Sequence, residues 1–271
     1  MRILDTHSPR AALSLLIVAV VAVLFAAPAQ AQVNPLWDHY KVYNQNLPAP
    51  APAGMPPVLL TDQFGQFTHQ VISLDRFMNP VIKIDGPIAY PINNPALHYS
   101  WWSITPQPFT ATVAVTNQFG DQTLSVLNAQ YLLNPAAKDT VPLPAAIQPP
   151  VANHYKAYNV QGQPVNITVG MIDQFDTWQA TVLLPRYLLT PVAKQIVGGP
   201  NYPIVDANQH YVVYEFQPPD PTPRTAYMTD QFLSNQLMYL YPGQWICVPS
   251  TKQIITPTRQ DTWGRLKKLY R

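Results

Sequence analysis

The sequence predicts an all-β protein assembled from four tandem units of about 56 residues. Three observations predict it. A set of landmarks recurs four times in the same order, which marks a repeat architecture. Apolar and polar residues alternate with period two inside each unit, which marks strands. The composition is also that of strands: Val, Tyr, Thr and Gln are plentiful, charged residues make up 11% of the chain, and Glu215 is the only glutamate. Helix surfaces use Glu and Lys freely, whereas β-branched and aromatic residues favour the pleated sheet.

The landmarks run as follows. Each unit opens on His-Tyr: His39-Tyr40, His98-Tyr99, His154-Tyr155 and His210-Tyr211, offset by 59, 56 and 56 residues. An aromatic follows three places after the Tyr: Tyr43, Trp102, Tyr158 and Tyr214. Next comes an Asp/Asn-Gln-Phe triplet starting at Asp62, Asn117, Asp173 and Asp230. A Pro-x-x-Lys ends the unit, with Lys83, Lys138, Lys194 and Lys252.

Within a unit the first strand starts at the His. Alternation places Tyr40 and Val42, Tyr99 and Trp101, Tyr155 and Ala157, and Tyr211 and Val213 on one face, read here as the core face. The other face carries the His, then Lys41, Ser100, Lys156 or Val212, then the aromatic. Two further runs flank the triplet and read as a hairpin, as Val113 and Val115 before Asn117 and Leu124 to Leu127 after it. The Asp or Asn accepts a hydrogen bond from a backbone N–H two residues on and so fixes the turn. Pro cannot donate to a ladder, so the Pro-x-x-Lys is expected to end the second hairpin strand.

Residues 1–31 read as a secretory signal peptide. Arg2 and Arg10 precede the apolar stretch Ala11 to Ala27, and Ala29-Gln30-Ala31 supplies the small residues for cleavage before Gln32. The division is then 1–31 signal peptide, 32–97, 98–153 and 154–209 as repeats with their linkers, 210–252 as the fourth repeat, and 253–271 as a basic tail. Two arrangements fit. Neighbouring units pair into sandwich-like halves near 32–145 and 146–252, the form favoured, or all four close into a pseudo-fourfold body resembling a small propeller, whose blades usually need four strands.

Export places the protein outside the cytoplasm, as secreted, periplasmic or cell-surface. The apolar run of residues 11–27 sits at the short end for a membrane span, so no stable membrane insertion is expected once the signal is removed. Pro-rich linkers and short strands speak against an outer-membrane barrel. The chain after residue 31 carries a net charge of +1, which gives no attraction for nucleic acid. The tail Arg259 to Arg271 holds +4 of that charge and could meet an anionic surface, though a solvated terminus explains it as well. Cys247 is the only cysteine, so no internal disulfide forms; it reads as a buried small hydrophobe or as an intermolecular bridge.

No residue stands out as catalytic, cofactor-binding or metal-ligating. Four repeated histidines suggest a metal on a symmetry axis, but no His-x-His pair or regularly placed carboxylate accompanies them, and a backbone-bonded His at a strand start needs less. Asn117 replaces Asp in the second triplet; it keeps the turn acceptor but cannot ionise, so the triplet reads as structure. There is no Gly-x-Ser-x-Gly and no phosphate-binding glycine loop. Trp101, Trp102, Trp178 and Trp245 are the candidates for a surface that stacks on a protein or glycan ligand, with core packing as the default reading for each and Trp178, after the third turn, the one most open to exposure. A non-enzymatic structural or binding module is therefore the favoured function, and an exported hydrolase the second.

The units resemble a repeat of secreted bacterial proteins that is classed as a domain of unknown function. Its units typically read His-aromatic-x-Cys-Tyr, then Asp-Gln-Phe-Gly, then Leu-Cys-Asn-Pro-x-x-Lys. The resemblance covers residues 37–252. It implies export and a β-rich fold, and no activity. This chain departs from it at the cysteines. The first is replaced by Val42, Trp101, Ala157 and Val213; the second by Met78, Leu133 and Leu189, with Cys247 remaining. The resemblance implies that each such pair is buried and close together, because a disulfide and a hydrophobic pair can fill the same space.

Overall fold

A computed structural model describes residues 34–255. Among them there is no helix, and one large antiparallel sheet dominates. The first segment contributes β1 (His39–Pro50), β2 (Val58–Asp62), β3 (Gly65–His69) and β4 (Val71–Asp85), and its linker contributes β5 (Ile88–Tyr90). The second gives β6 (His98–Gln107), β7 (Ala111–Asn117) and β8 (Gly120–Asp139). The third gives β9 (His154–Gln161), β10 (Ile167–Ile172) and β11 (Thr177–Ile196), followed by β12 (Asn201–Tyr202) in its linker. The fourth gives β13 (His210–Asp220), β14 (Arg224–Thr229) and β15 (Gln236–Ile254).

Two strands from each segment form a closed ring. Each His-Tyr strand lies between its own long strand and that of the preceding segment. The order is β1, β4, β6, β8, β9, β11, β13, β15 and back to β1. Closure rests on Tyr40 opposite Cys247 and Val42 opposite Trp245. Of the two expected arrangements, the structure adopts the closed body. The ladder does not break into halves near residue 145, since β8 pairs with β9 across that point, and the ring is a barrel without separate blades. Closing eight strands removes the open edges that two sandwiches would leave.

The expected core face points into the barrel. Tyr40, Tyr99, Tyr155 and Tyr211 are fully buried and meet edge to face around the axis, with ring centres 5.5–6.0 Å apart in a closed cycle. Each such aromatic pair adds about 0.5–1.5 kcal/mol beyond its buried area. The pairs implied by the family resemblance lie opposite one another: Val42 with Met78, Trp101 with Leu133, Ala157 with Leu189 and Val213 with Cys247. At the next inward position three segments have an aromatic, Tyr131, Tyr187 and Trp245, and the first has Arg76. The Arg76 guanidinium carbon sits 4.2–5.6 Å from the rings of Trp101, Tyr131, Tyr187 and Trp245. The cation therefore occupies an internal aromatic cage.

The opposite face is buried too, because the hairpins cover it. The first strand of each hairpin pairs with the end of the long strand two segments away: β2 with β11, β7 with β15, β10 with β4 and β14 with β8. This second layer buries Lys41 and Lys156 and packs hairpin residues such as Val113 and Val169 on outward barrel residues such as Val212 and Ile246. The long strands do not stop at Pro-x-x-Lys. Pro80, Pro135, Pro191 and Pro249 sit within them, each opposite the Tyr of its own segment. The ladder to the following segment has ended two residues earlier, for example at Met78 opposite Tyr99, so no partner there needs the missing N–H.

The turns behave as expected. Asp62, Asn117, Asp173 and Asp230 each accept, through Oδ1, the backbone N–H two residues on at 2.7–2.9 Å. Turn width follows the next residue. Gly65 and Gly120 take φ of +131° and +100°, and Asp62 and Asn117 pair directly with them. Asp176 and Leu233 stand in their place in the other copies, where the side chain excludes that backbone and the last ladder pairs lie further apart.

Candidate functional site

The polar landmarks meet one another between segments. The second oxygen of each turn residue reaches the segment two away. Asp62 Oδ2 accepts the Tyr158 hydroxyl at 2.8 Å and Thr190 at 2.9 Å, with Lys156 Nζ 3.2 Å away. Asp173 Oδ2 accepts Tyr43 at 2.6 Å. Asp230 Oδ2 accepts the Trp102 indole N–H at 2.7 Å and the Ser100 hydroxyl at 2.5 Å. In the copy with an amide the direction reverses, and Asn117 Nδ2 donates to Tyr214 at 2.9 Å. There the strand presents Val212 where the other segments carry Lys41, Ser100 and Lys156.

The histidines are buried on the outer face of the barrel strands, apart from one another. Nδ1 of His98 and His210 meets the carbonyl two residues back, at 3.1 and 2.9 Å. Nε2 of His39, His154 and His210 lies 2.9–3.1 Å from Gln118, Gln231 and Gln63 of the following segment's triplet. The fourth glutamine, Gln174, donates to Asn79 instead. Burial, and then the lysine of the same segment, lowers their basicity: His39 and His98 to about 3, His210 to about 4, and His154 well below the usual value. They are neutral hydrogen-bonding groups at physiological pH.

The four lysines stack on the triplet Phe of the next segment. Lys83 lies 4.9 Å from Phe119, Lys138 4.2 Å from Phe175, Lys194 4.7 Å from Phe232 and Lys252 4.4 Å from Phe64. Burial lowers Lys83 and Lys138 to about 8 and Lys252 to about 7, and pushes Lys194 well down.

The tryptophan platform is corrected for three of its four members. Trp101, Trp102 and Trp245 are buried in the barrel or under the hairpins. Trp178 is half-buried, and its indole donates to the Pro218 carbonyl at 3.0 Å. Cys247 is also fully buried inside the barrel, which puts it out of reach of a second chain. The stretch expected to be a signal peptide, residues 1–31, and the basic stretch Arg259 to Arg271 lie outside the described residues.

A cleft of about 400 Å³ opens where the linkers differ. In the first and third linkers a Gly-Pro precedes a Tyr that covers the buried His and Lys. The Tyr90 ring packs at a tilt against His39, and Tyr202 against His154, each with ring centres 5.1 Å apart. The linker of residues 139–153 has no Gly-Pro-to-Tyr stretch and forms no strand against β8. Its Ile147, Pro149 and Val151 wall the cleft together with Pro203 and Val205. The polar lining includes His154, Tyr202, Asp230 and Gln231. Apolar walls around a few convergent polar groups are the usual build of a binding site. Sequence reasoning missed this cleft; the missing Gly-Pro-to-Tyr stretch was the available signal.

Beneath that lining lies a fully desolvated cluster. Lys194 Nζ donates to Asn134 Oδ1 at 2.9 Å, and Asn134 Nδ2 donates to Asp230 Oδ2 at 3.4 Å. Lys194 and Asn134 have no exposed surface. Among the described residues no group of three His, Cys, Asp or Glu side chains is placed to hold a metal ion.

A family model for a repeat of unknown function, DUF7450, matches residues 98–249. No curated protein and no solved structure matches the chain.

Proposed function

The chain belongs to this family of repeats of unknown function, and from that premise we propose that it is an exported, non-enzymatic binding module. The observation that carries the reading is where the repeated side chains direct their polar atoms. The turn Asp and Asn residues, the glutamines and most of the histidines bond across segment boundaries and so serve the scaffold. Catalysis needs groups aimed at a substrate. The linker cleft is a concave surface open to a partner, and its exposed Val151 and Val205 flank the opening. Its mostly apolar walls suit a protein side chain or the apolar face of a glycan. Export rests on the signal-like residues 1–31.

The test is retention of the purified protein on glycan and cell-envelope fractions. The reading expects retention by the parent and its loss in a Val151→Asp/Val205→Asp variant, whose changes lie at exposed positions and leave the barrel intact. Absence of retention on every fraction, or equal retention by the variant, counts against it.

A further inference from the structure

We propose that Lys194 and Asn134 join in an intramolecular isopeptide bond, with Asp230 carrying the proton. The three groups have the chemistry of a self-acylating site. The nucleophile is a primary amine with no exposed surface, flanked by Phe232 at 4.7 Å and Tyr202 at 4.8 Å. Burial favours its neutral form, the one with a free lone pair. The electrophile is a primary amide whose oxygen lies 2.9 Å from that amine. With a C=O bond of about 1.23 Å, Nζ is then no further than about 4.1 Å from the carbonyl carbon, close to an attack distance.

Asp230 is held for the proton transfer. Its Oδ1 accepts the N–H groups of Phe232 and Leu233 at 2.7 and 2.9 Å, which locks the carboxylate in the turn. Its Oδ2 accepts Trp102 and Ser100 and faces the Asn134 amide nitrogen. The amine lone pair attacks Asn134 Cγ. In the tetrahedral intermediate Nζ and Nδ2 share one carbon, and the ammonium proton passes to the amide nitrogen with Asp230 Oδ2, 3.4 Å from Nδ2, as the relay, so that this nitrogen departs as ammonia. The products are a secondary amide and NH₃, so atoms and charge balance without an oxidant or cofactor.

The other segments lack either the amide or its contact with the lysine. At the position of Asn134, just before the Pro, the third and fourth segments have Thr190 and Val248, which carry no amide. The first has Asn79, whose oxygen accepts Gln174 at 2.8 Å. The bond would tie β8 to β11 over β9, which lies between them in the ring.

The experiment is mass spectrometry of the wild-type chain and its tryptic digest. The proposal expects a branched peptide joining residues 84–138 to residues 187–224, uncleaved after the acylated Lys194 and lighter by about 17 Da than those two stretches together, the mass of the ammonia lost. The branched peptide is the readout because cyclisation of Gln32, if it becomes the N-terminus, would release the same mass. Lys194→Met returns linear peptides, and Asp230→Asn slows the appearance of the branched one. Finding both peptides linear in the wild-type digest overturns the proposal. The wild type decides the outcome, so a variant that fails to fold leaves the test intact.

Discussion

Asp62 binds the Tyr158 hydroxyl at 2.8 Å across 96 residues of sequence, while its other oxygen closes its own turn on the Phe64 N–H at 2.9 Å. One side chain thus fixes a hairpin and anchors it to the segment two away. Asp62→Ala removes both ties and leaves Lys156 as a buried cation without its partner. The expected loss is about 3–5 kcal/mol. Asn117→Ala removes an uncharged version of the same node and is expected to cost about 1–3 kcal/mol. Guanidinium unfolding of the two variants checks the order; equal costs would deny the role given to the charge.

Val213 and Cys247 are direct cross-strand partners inside the barrel. Val213→Cys is therefore expected to form a disulfide with Cys247 without moving the backbone. The bridge should raise stability by about 2–4 kcal/mol, lost again on reduction. Thiol titration of the denatured variant reads the outcome, and two titratable thiols after oxidation would contradict the register.

Stability should fall as the pH drops below neutrality. The histidines are held at about 3 for His39 and His98 and about 4 for His210, and an unfolded chain protonates them near 6.5. Between these values the unfolded state binds more protons than the folded one, so acid favours unfolding, and the stabilising effect returns as pH rises to about 6.5. The lysines act in the same direction at higher pH: Lys83 and Lys138 sit at about 8 and Lys252 at about 7, below the usual 10.5. The unfolding midpoint is expected to be lower at about pH 5 than at about pH 7 and to rise again toward about pH 9. A midpoint independent of pH over the acid range would mean the histidines are charged or exposed.

Gly120 isolates the backbone part of the turn. It has φ +100°, and an added Cβ would meet nothing within 4 Å. Gly120→Ala should cost about 1–3 kcal/mol through backbone strain alone. Asp176→Ala is a poor control because its carboxylate binds Lys41 and Arg224, so Leu233→Ala, at the equivalent place in the wider fourth turn, serves instead. A neutral Gly120→Ala, seen in thermal unfolding, would deny that the glycine sets the turn width.

The local parts of this fold were legible in the residues. The turn acceptors at Asp62, Asn117, Asp173 and Asp230 follow from side-chain chemistry two residues long, and the inward Tyr and Val from alternation. The wiring was not legible, because it is non-local. Nothing near Tyr43 announces Asp173, 130 residues away. The burial of the Lys41 and Lys156 face was not legible because its covering hairpins come from other segments. Trp101 and Trp102 occupy adjacent positions and so point to opposite faces; only the second layer buries both. The cleft was missed because it arises from what one linker lacks.

The most direct test of the account is whether the first and last strands pair. Proton NMR of the folded chain should show cross-strand nuclear Overhauser effects between Tyr40 and Cys247 and between Val42 and Trp245, with slow amide exchange along both strands. Contacts confined within residues 39–83 and 210–252, with one side of β1 exchanging freely, would show an open array and contradict the closed barrel on which the buried landmarks depend.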